Sequence, residues 1–456
     1  MTSSIPAKAT GRPARASAPR FPARRRLLAT ATAGLLALGA AVVAQSAAHA
    51  GSSPSEGIVC DTAVNNTFTL GTRTGSVSTP DGNSIYSWGF ADEGAGHGFQ
   101  LPGPTLCVTS GDVVTVVLHN TLTEPVSIVF HGQSGVTANG SPAQPQFDAQ
   151  HALTSLVQAA APPDADAGVK VGSMTYSFTA GSPGTYLYAS GTDVNKQVQM
   201  GLFGALVVRP KDHPHQATNA GTSATFNPDH EYLFVLSEID PDIHLAVERG
   251  ETPDWSSYQP RYFMINGRSM PDTLAPNNAT YLPGQPYGAM VHIQPYSATN
   301  SAPALIRYLN AGTENYPFHP HGSDERIVNI DGHPTLGPTG QDLSYNKFDL
   351  NVQPGQSLDA TMIWTDVDQW NPSTNPIPTK LPAITDQLLV GTDTWFSESP
   401  YLGVKGNVPT YITDNNQCGE YYHIAHSHAL QQATNYGATF GGMMTLYRID
   451  PPGGCK

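Results

Sequence analysis

The chain has 456 residues, long enough for two or three domains, and only 13% of them are charged against about 25% in an average soluble domain, which excludes long solvated charged helices. Glycine and proline together make up about 18%, short of the roughly 25–30% at which such content signals disorder, so an ordered, turn-rich protein is expected. The formal net charge of −14 argues against a nucleic-acid partner.

The first fifty residues carry Lys8, Arg12, Arg15, Arg20, Arg24, Arg25 and Arg26 and no acid, then an apolar run from Leu27 to Val43, then Ala48-His49-Ala50. That order reads as a secretory signal (1–50) with cleavage expected after Ala50. The arginines before Leu27 admit both a Sec and a twin-arginine reading. Removing the segment leaves 15 basic residues against 36 acids, a balance of −21. No later stretch has the roughly 18 uninterrupted apolar residues of a membrane span, so none is expected after cleavage. Cys60, Cys107, Cys418 and Cys455 all follow the signal, in an oxidising setting where disulfides persist. Of the three possible pairings, Cys60 with Cys107 and Cys418 with Cys455 keeps each tie within one end of the chain.

Short β-branched or aromatic segments bounded by Gly, Pro, Asn or Asp then follow: Val113–Leu118, Val126–Phe130, Met174–Phe178, Gly184–Tyr188, Ala205–Val208, Tyr232–Leu236, Met290–Ile293, Leu305–Leu309 and Met443–Tyr447. Such spacing predicts β-sandwiches rather than βαβ units. A helix is expected only over Ala429–Asn435. A polar segment at 211–230 reads as a linker between a first domain, 51–210, and a second, 231–456, the latter with an insertion around Gln369–Asp414.

Three His-x-His pairs occur, at His213/His215, His319/His321 and His426/His428, with His131 at the end of an apolar strand. Residues two apart on a strand share a face, so each pair presents two imidazoles to one side. Sixteen histidines placed at random would give about half a pair. Imidazole suits copper, zinc, iron and nickel alike, and the spacing does not choose among them. The pair at 213 lies in the expected linker and reads as a solvated turn.

Wider motifs choose. Leu101-Pro102-Gly103-Pro104-Thr105-Leu106, continued by Ser110-Gly111-Asp112-Val113-Val114 and Leu118-His119-Asn120, resembles the first-domain opening of multicopper oxidases. Tyr176-Ser177-Phe178-Thr179, Pro183-Gly184-Thr185-Tyr186-Leu187-Tyr188 and Met200–Val208 resemble the end of that domain. Tyr316-Pro317-Phe318-His319-Pro320-His321-Gly322 resembles the third copper motif, and His426-Ser427-His428 with Gly441-Gly442-Met443-Met444 the fourth. The resemblance implies an all-β chain of tandem cupredoxin-like Greek-key β-sandwiches. By position it makes His319 a type-2 copper ligand and His131, His321, His426 and His428 part of the type-3 set.

The departures are equally specific. Val129, Ala189 and Gly191 stand where the family has three further trinuclear-site histidines, and Tyr316, Ser427 and Gln432 stand where it has the type-1 histidine, cysteine and second histidine. A blue-copper site depends on a thiolate with two histidines, so no type-1 site is expected. An alternative register takes His423-Ile424 as the fourth motif, with Tyr421 and Tyr422 before it, and loses the type-1 site as well. The five retained histidines imply one to two copper ions in a secreted protein. The readings that follow are a copper-dependent oxidoreductase acting on a small molecule or metal ion, a non-catalytic copper-binding protein, and a purely structural descendant. In two-domain relatives the trinuclear site forms between subunits, which allows His131 and the pairs at 319 and 426 to meet across a homo-oligomer.

Overall fold

The computed structural model describes residues 56–295, 301–364 and 421–450, apart from positions 62, 65, 97, 169 and 440. The signal, the insertion around 369–414, Cys418 and Cys455 lie outside the described residues. The principal elements in chain order begin with β1 (Thr67–Ser78), β2 (Ser84–Asp92), β3 (Leu106–Thr109), β4 (Val113–Asn120), β5 (Val129–Phe130), β6 (Gly172–Thr179), β7 (Gly184–Ala189), α1 (Val194–Gln199) and β8 (Phe203–Arg209). The second series is β9 (Glu231–Ile239), α2 (Pro241–Glu248), β10 (Tyr262–Ile265), β11 (Val291–Ile293), β12 (Ala304–Asn310), β13 (Tyr316–Pro320) and β14 (Glu325–Ile330). It ends with β15 (Leu350–Val352), β16 (Ser357–Met362), β17 (Tyr421–Ser427) and β18 (Met444–Ile449).

The chain is all-β in architecture. In the first half a sheet in the order β2-β1-β4-β6, extended by two short strands, faces a sheet in the order β3-β8-β7-β5. The second half repeats the plan, with β14-β16-β12-β9-β10 within one sheet and β11-β18-β17-β13-β15 forming the other. β4 alternates buried and less buried positions, as a half-buried strand should. β7 and β9 are buried along their whole length, because each is covered on both faces. One core gathers Phe90, Phe130, Tyr176 and Tyr188 in the first half, and another gathers Phe234, Tyr308, Phe318 and Tyr447 in the second. A third cluster joins Leu187, Phe203 and Ala205 to Leu233, Val235, Met264 and Leu309, so the two sandwiches are packed on each other by apolar side chains.

At this junction Arg307, fully buried, donates through Nε to Glu231 Oε1 (2.8 Å) and through an Nη to Asp359 Oδ1 (3.1 Å) and Thr185 Oγ1 (3.3 Å). Thr185 belongs to the first sandwich and itself donates to Asp359 (2.6 Å), while Arg209 of the first sandwich donates to Glu231 (2.8 Å). Burial by itself would raise the Glu231 pKa, but the Arg307 and Arg209 guanidiniums overcome it and hold the carboxyl below its usual value.

The nine expected strands are present, with ends shifted by a few residues; Val126–Phe130 is the exception, where only Val129–Phe130 is a strand and Val126 makes an isolated bridge to Ala160. The expected helix over Ala429–Asn435 is replaced by a single 3-10 turn, Leu430–Ala433, after which Thr434 and Asn435 pair as a strand. Gln432, within that turn, is buried and accepts from the Ser427 hydroxyl, and the Thr434–Asn435 pairing with Ala438 and Thr439 ends the turn. Two α-helices had no clear sequence signal. In α2, Asp240 caps the first turn by accepting from the Asp242 N–H (2.9 Å), with Pro241 at the first helical position. The segment 211–230 is no free tether, because Ala217, Ala220, Ala224 and Phe226 are buried against Leu305 and Val328, although His213 and His215 are exposed. β1 is hidden in the sequence by its small polar residues, whereas β2 carries Ile85, Tyr86, Trp88 and Phe90 and is simply missing from the expected strands; in β1, Gly75 has to be glycine, since an added Cβ would sit 2.3 Å from the Phe99 ring. Cys60 and Cys107 form a disulfide, as expected.

Replacing Arg307 by Ala leaves Glu231 and Asp359 buried with fewer partners, and a loss of about 3–5 kcal/mol is expected in urea unfolding. A second prediction concerns Glu325, fully buried and hydrogen-bonded by the hydroxyls of Tyr308 (2.8 Å) and Tyr447 (2.9 Å). Burial pushes its pKa up to about 7 from 4.5. An acid whose folded pKa is raised contributes stability that is complete below its unfolded pKa and is lost as pH rises through the folded one. Unfolding free energies measured from pH 4 to 8 should fall across that window in the wild type and fall less in Glu325→Gln.

Candidate metal centre

β13 and β17 run antiparallel with Phe318 opposite Ser427, His319 opposite His426 and Pro320 opposite Ala425. Strand alternation sends Tyr316 and Phe318 into the core, where both are fully buried, and leaves His319 on the other face. Just past the ends of the two strands, the His321 N–H donates to the Ile424 carbonyl (2.9 Å) and the His428 N–H to the Pro317 carbonyl (2.6 Å), so both pairs are held to the same patch of sheet. Ring centres lie 4.7 Å apart for His319 and His321, 5.1 Å for His319 and His428, 5.4 Å for His321 and His426, and 5.7 Å for His319 and His426. The His426 and His428 rings are stacked at 5.9 Å. His426 is buried, His319 and His321 are half-buried and His428 is exposed.

The polar partners of these rings favour metal binding. His426 Nδ1 lies 2.8 Å from the Ser427 carbonyl oxygen, and His319 Nδ1 contacts the carbonyl oxygen of Phe348. A carbonyl only accepts, so each Nδ1 carries the proton and each Nε2 presents a lone pair, the arrangement that orients histidine ligands in metal sites. Burial lowers the His426 pKa, and the adjacent His321, His319 and His428 rings lower it further against the opposing effect of the Ser427 carbonyl. The ring therefore favours the neutral form that a metal requires. Metal–nitrogen bonds of about 2.0–2.1 Å would put two imidazole centres around one ion roughly 4.4–5.5 Å apart, which overlaps the observed spread. Among the described residues no three His, Cys, Asp or Glu side chains already converge as a ready-made shell, so uptake involves some turning of the rings. The donor set fits copper.

The positions of the expected missing type-1 ligands are filled by a hydrogen-bonded chain. Ser427 Oγ donates to Gln432 Oε1 (2.5 Å), and Gln432 Nε2 donates to Glu314 Oε2 (2.7 Å) and to the Asn315 carbonyl (3.1 Å). The Tyr316 hydroxyl donates to Glu238 Oε2. Ser427 and Gln432 thus lie side by side, and His423 is buried with its ring against Gly322. Glu314 carries no motif that would have marked it in the sequence, and the role of Phe348 is played by its backbone, which no side-chain pattern reports.

In the first sandwich the three positions without histidine are neighbours. Val129 pairs with Ala189 across β5 and β7, and a Cβ on Gly191 would come within 2.6 Å of Val129 Cγ2. His131 sits beside this patch and lines a cavity whose walls include none of the four second-sandwich histidines. It keeps contact with solvent, yet burial of the rest of the ring pushes its pKa below the usual value. Within the chain, then, the structure brings together four of the five candidate ligands and gives His131 a different setting.

A sequence profile described as multicopper oxidase matches residues 88–152. The chain is 31% identical over 160 residues to the multicopper oxidase CTB12 of Cercospora beticola, covering 34% of this chain and 20% of that protein. It is 26% identical over 295 residues to the L-ascorbate oxidase of Cucurbita maxima, covering 60% and 42%. The chain therefore spans less than half the length of these curated relatives. Among solved structures, the blue copper oxidase of Nitrosomonas europaea superposes with a TM-score of 0.52 at 20% identity, covering 84% of this chain and 85% of that one, a likeness of fold.

Ser427→Cys supplies a thiol but neither flanking imidazole, since Tyr316 is engaged with Glu238 and residue 432 remains glutamine. The copper-loaded variant is expected to lack the intense visible band of a blue site. It should also lose about 0.5–1.5 kcal/mol with the Ser427–Gln432 hydrogen bond, measured by denaturant unfolding.

Proposed function

We propose that the chain is a divergent member of the multicopper oxidase family and a secreted copper-dependent oxidoreductase with a reduced site, holding one to two copper ions on His319, His321, His426 and His428. The observation that carries this reading is the grouping of four imidazoles on adjacent strands, two of them with Nδ1 set against a backbone carbonyl. Bound copper supplies one-electron exchange with a reducing substrate. The chain's own residues do the rest: the β13–β17 ladder fixes the spacing of the rings, the Phe348 and Ser427 carbonyls hold the tautomers of His319 and His426, and exposed His428 leaves the site open to solvent.

With serine and glutamine in place of thiolate and imidazole, Tyr316, Ser427 and Gln432 would not hold a separate blue copper, and a copper held by the four histidines would supply electron exchange to a small-molecule or metal-ion substrate at that patch itself. The Cys60–Cys107 disulfide supports an oxidising, extracellular location. A second reading, copper binding without turnover, is favoured by Val129, Ala189 and Gly191, which leave the first sandwich short of ligands.

Copper loading followed by dialysis and metal analysis tests the site. The wild type is expected to retain about one to two ions per chain, and His319→Ala with His321→Ala to lose most of them. Retention of none by the wild type removes both metal readings and leaves a structural descendant. Retention without oxygen consumption in the presence of phenols, aromatic amines or cuprous ion selects the binding protein over the enzyme.

A further inference from the structure

Residues 57–61 bridge the two sandwiches. The Ile58 N–H donates to the Glu231 carbonyl (2.8 Å) and the Gly57 carbonyl accepts from Asn277 Nδ2 (2.9 Å), both in the second sandwich, while the Asp61 N–H donates to the Thr105 carbonyl (2.8 Å) in the first. The Cys60–Cys107 disulfide is the covalent part of this bridge, and both cysteines are half-buried rather than sealed in a core. Its two sulfurs are not equivalent. An Nη of Arg209 donates to Cys60 Sγ across 3.7 Å, and the same nitrogen donates to the Glu231 carboxylate (2.8 Å). Among the described residues Cys107 Sγ has no such donor.

A disulfide is exchanged when a thiolate attacks one sulfur and the other leaves as a thiolate, faster the lower the pKa of the departing thiol. A guanidinium beside a sulfur favours its thiolate. We propose that Cys107 is a thiol-exchange site: a small thiol of low charge attacks Cys107 Sγ, a mixed disulfide forms there, and Cys60 departs as a thiolate held by Arg209. The bond between the two cysteines breaks as the new S–S bond forms, its electron pair stays on Cys60 Sγ, and the proton of the incoming thiol passes to solvent. A second molecule of the thiol then attacks the small-thiol sulfur of the mixed disulfide and leaves as the small disulfide, with both cysteines reduced. Attack on Cys60 instead would send the negative charge to Cys107, away from the guanidinium. Space is no obstacle to the proposed direction, since Cys107 borders an open pocket of about 270 Å3 that Cys60 does not line. The chain's excess of acids disfavours a strongly anionic thiol. The site lies apart from the four-histidine patch and does not rest on the copper reading.

The test treats the full folded chain with 2-mercaptoethanol, quenches with acid, alkylates free thiols and maps the modified peptides by mass spectrometry. The trapped mixed disulfide is expected mainly on Cys107, with the alkyl group on Cys60. Arg209→Gln should slow cleavage about 2- to 10-fold and Arg209→Lys, which keeps the charge, should slow it less. In Cys107→Ser, the pH profile of Cys60 alkylation should show a thiol pKa below the ordinary value of about 8.5, and adding Arg209→Gln should move it back up. Should the Arg209 variants fail to fold, the position of the mixed disulfide in the wild type decides by itself. The proposal is overturned by a mixed disulfide mainly on Cys60 or divided evenly, by a bond that is cleaved only after denaturation, or by a folded Arg209→Gln that is cleaved as fast as the wild type.

Discussion

Arg307 is a guanidinium with no solvent contact, and the way the two sandwiches meet depends on how that charge is neutralised. Its partners come from the second sandwich, Glu231 and Asp359, but Thr185 and Arg209 from the first complete the arrangement. One Nη of Arg307 has no partner among the described residues, so the network is retained at a cost. Its physical value is specificity: an apolar interface of Leu187, Phe203, Val235 and Leu309 tolerates sliding, whereas charges that must be paired fix one relative placement. That placement in turn decides which residues of the first sandwich face which of the second.

The histidine patch and the cavity are both consequences of strand order. β13 and β17 are neighbours in one sheet although about a hundred residues separate them in the chain, and their register alone sets His319 against His426. The same backbone ladder places Ser427 beside Gln432 on the core side, where a hydroxyl, an amide and the Glu314 carboxylate satisfy one another. The core side of this patch is thus closed by hydrogen bonds that end on a carboxylate, next to the imidazoles on the other face. In the first sandwich Val129, Ala189 and Gly191 are neighbours, and small side chains at a junction leave either tighter packing or space. Gly191 is tightly packed against Val129, while Ala189 borders space.

Much of the fold was legible in the sequence because β-branched and aromatic runs bounded by turn residues report strands directly, as at Val113–Leu118 and Leu305–Leu309. β1 was not legible, since its threonines, serines and glycines carry little strand signal and its far end, with Thr74, Ser76 and Ser78 exposed, is a strand only through its pairing with β2; β2, with Ile85, Tyr86, Trp88 and Phe90, did carry a strand signal, although it is absent from the expected strands. The expected helix after His428 failed for a related reason: local propensity yields when a side chain such as Gln432 has buried partners far away in sequence.

The histidine pairs, the absence of a cysteine at position 427 and the Cys60–Cys107 pairing needed only residue types and spacing, which fix chemical capacity without fixing location. Tertiary structure alone decided that four histidines share one patch while His131 lines the junction, and that Glu314 engages Gln432 and Glu238 engages Tyr316. Those outcomes depend on contacts between strands remote in the chain, and such contacts are set by sheet register and sandwich packing rather than by any property of the residues read one after another.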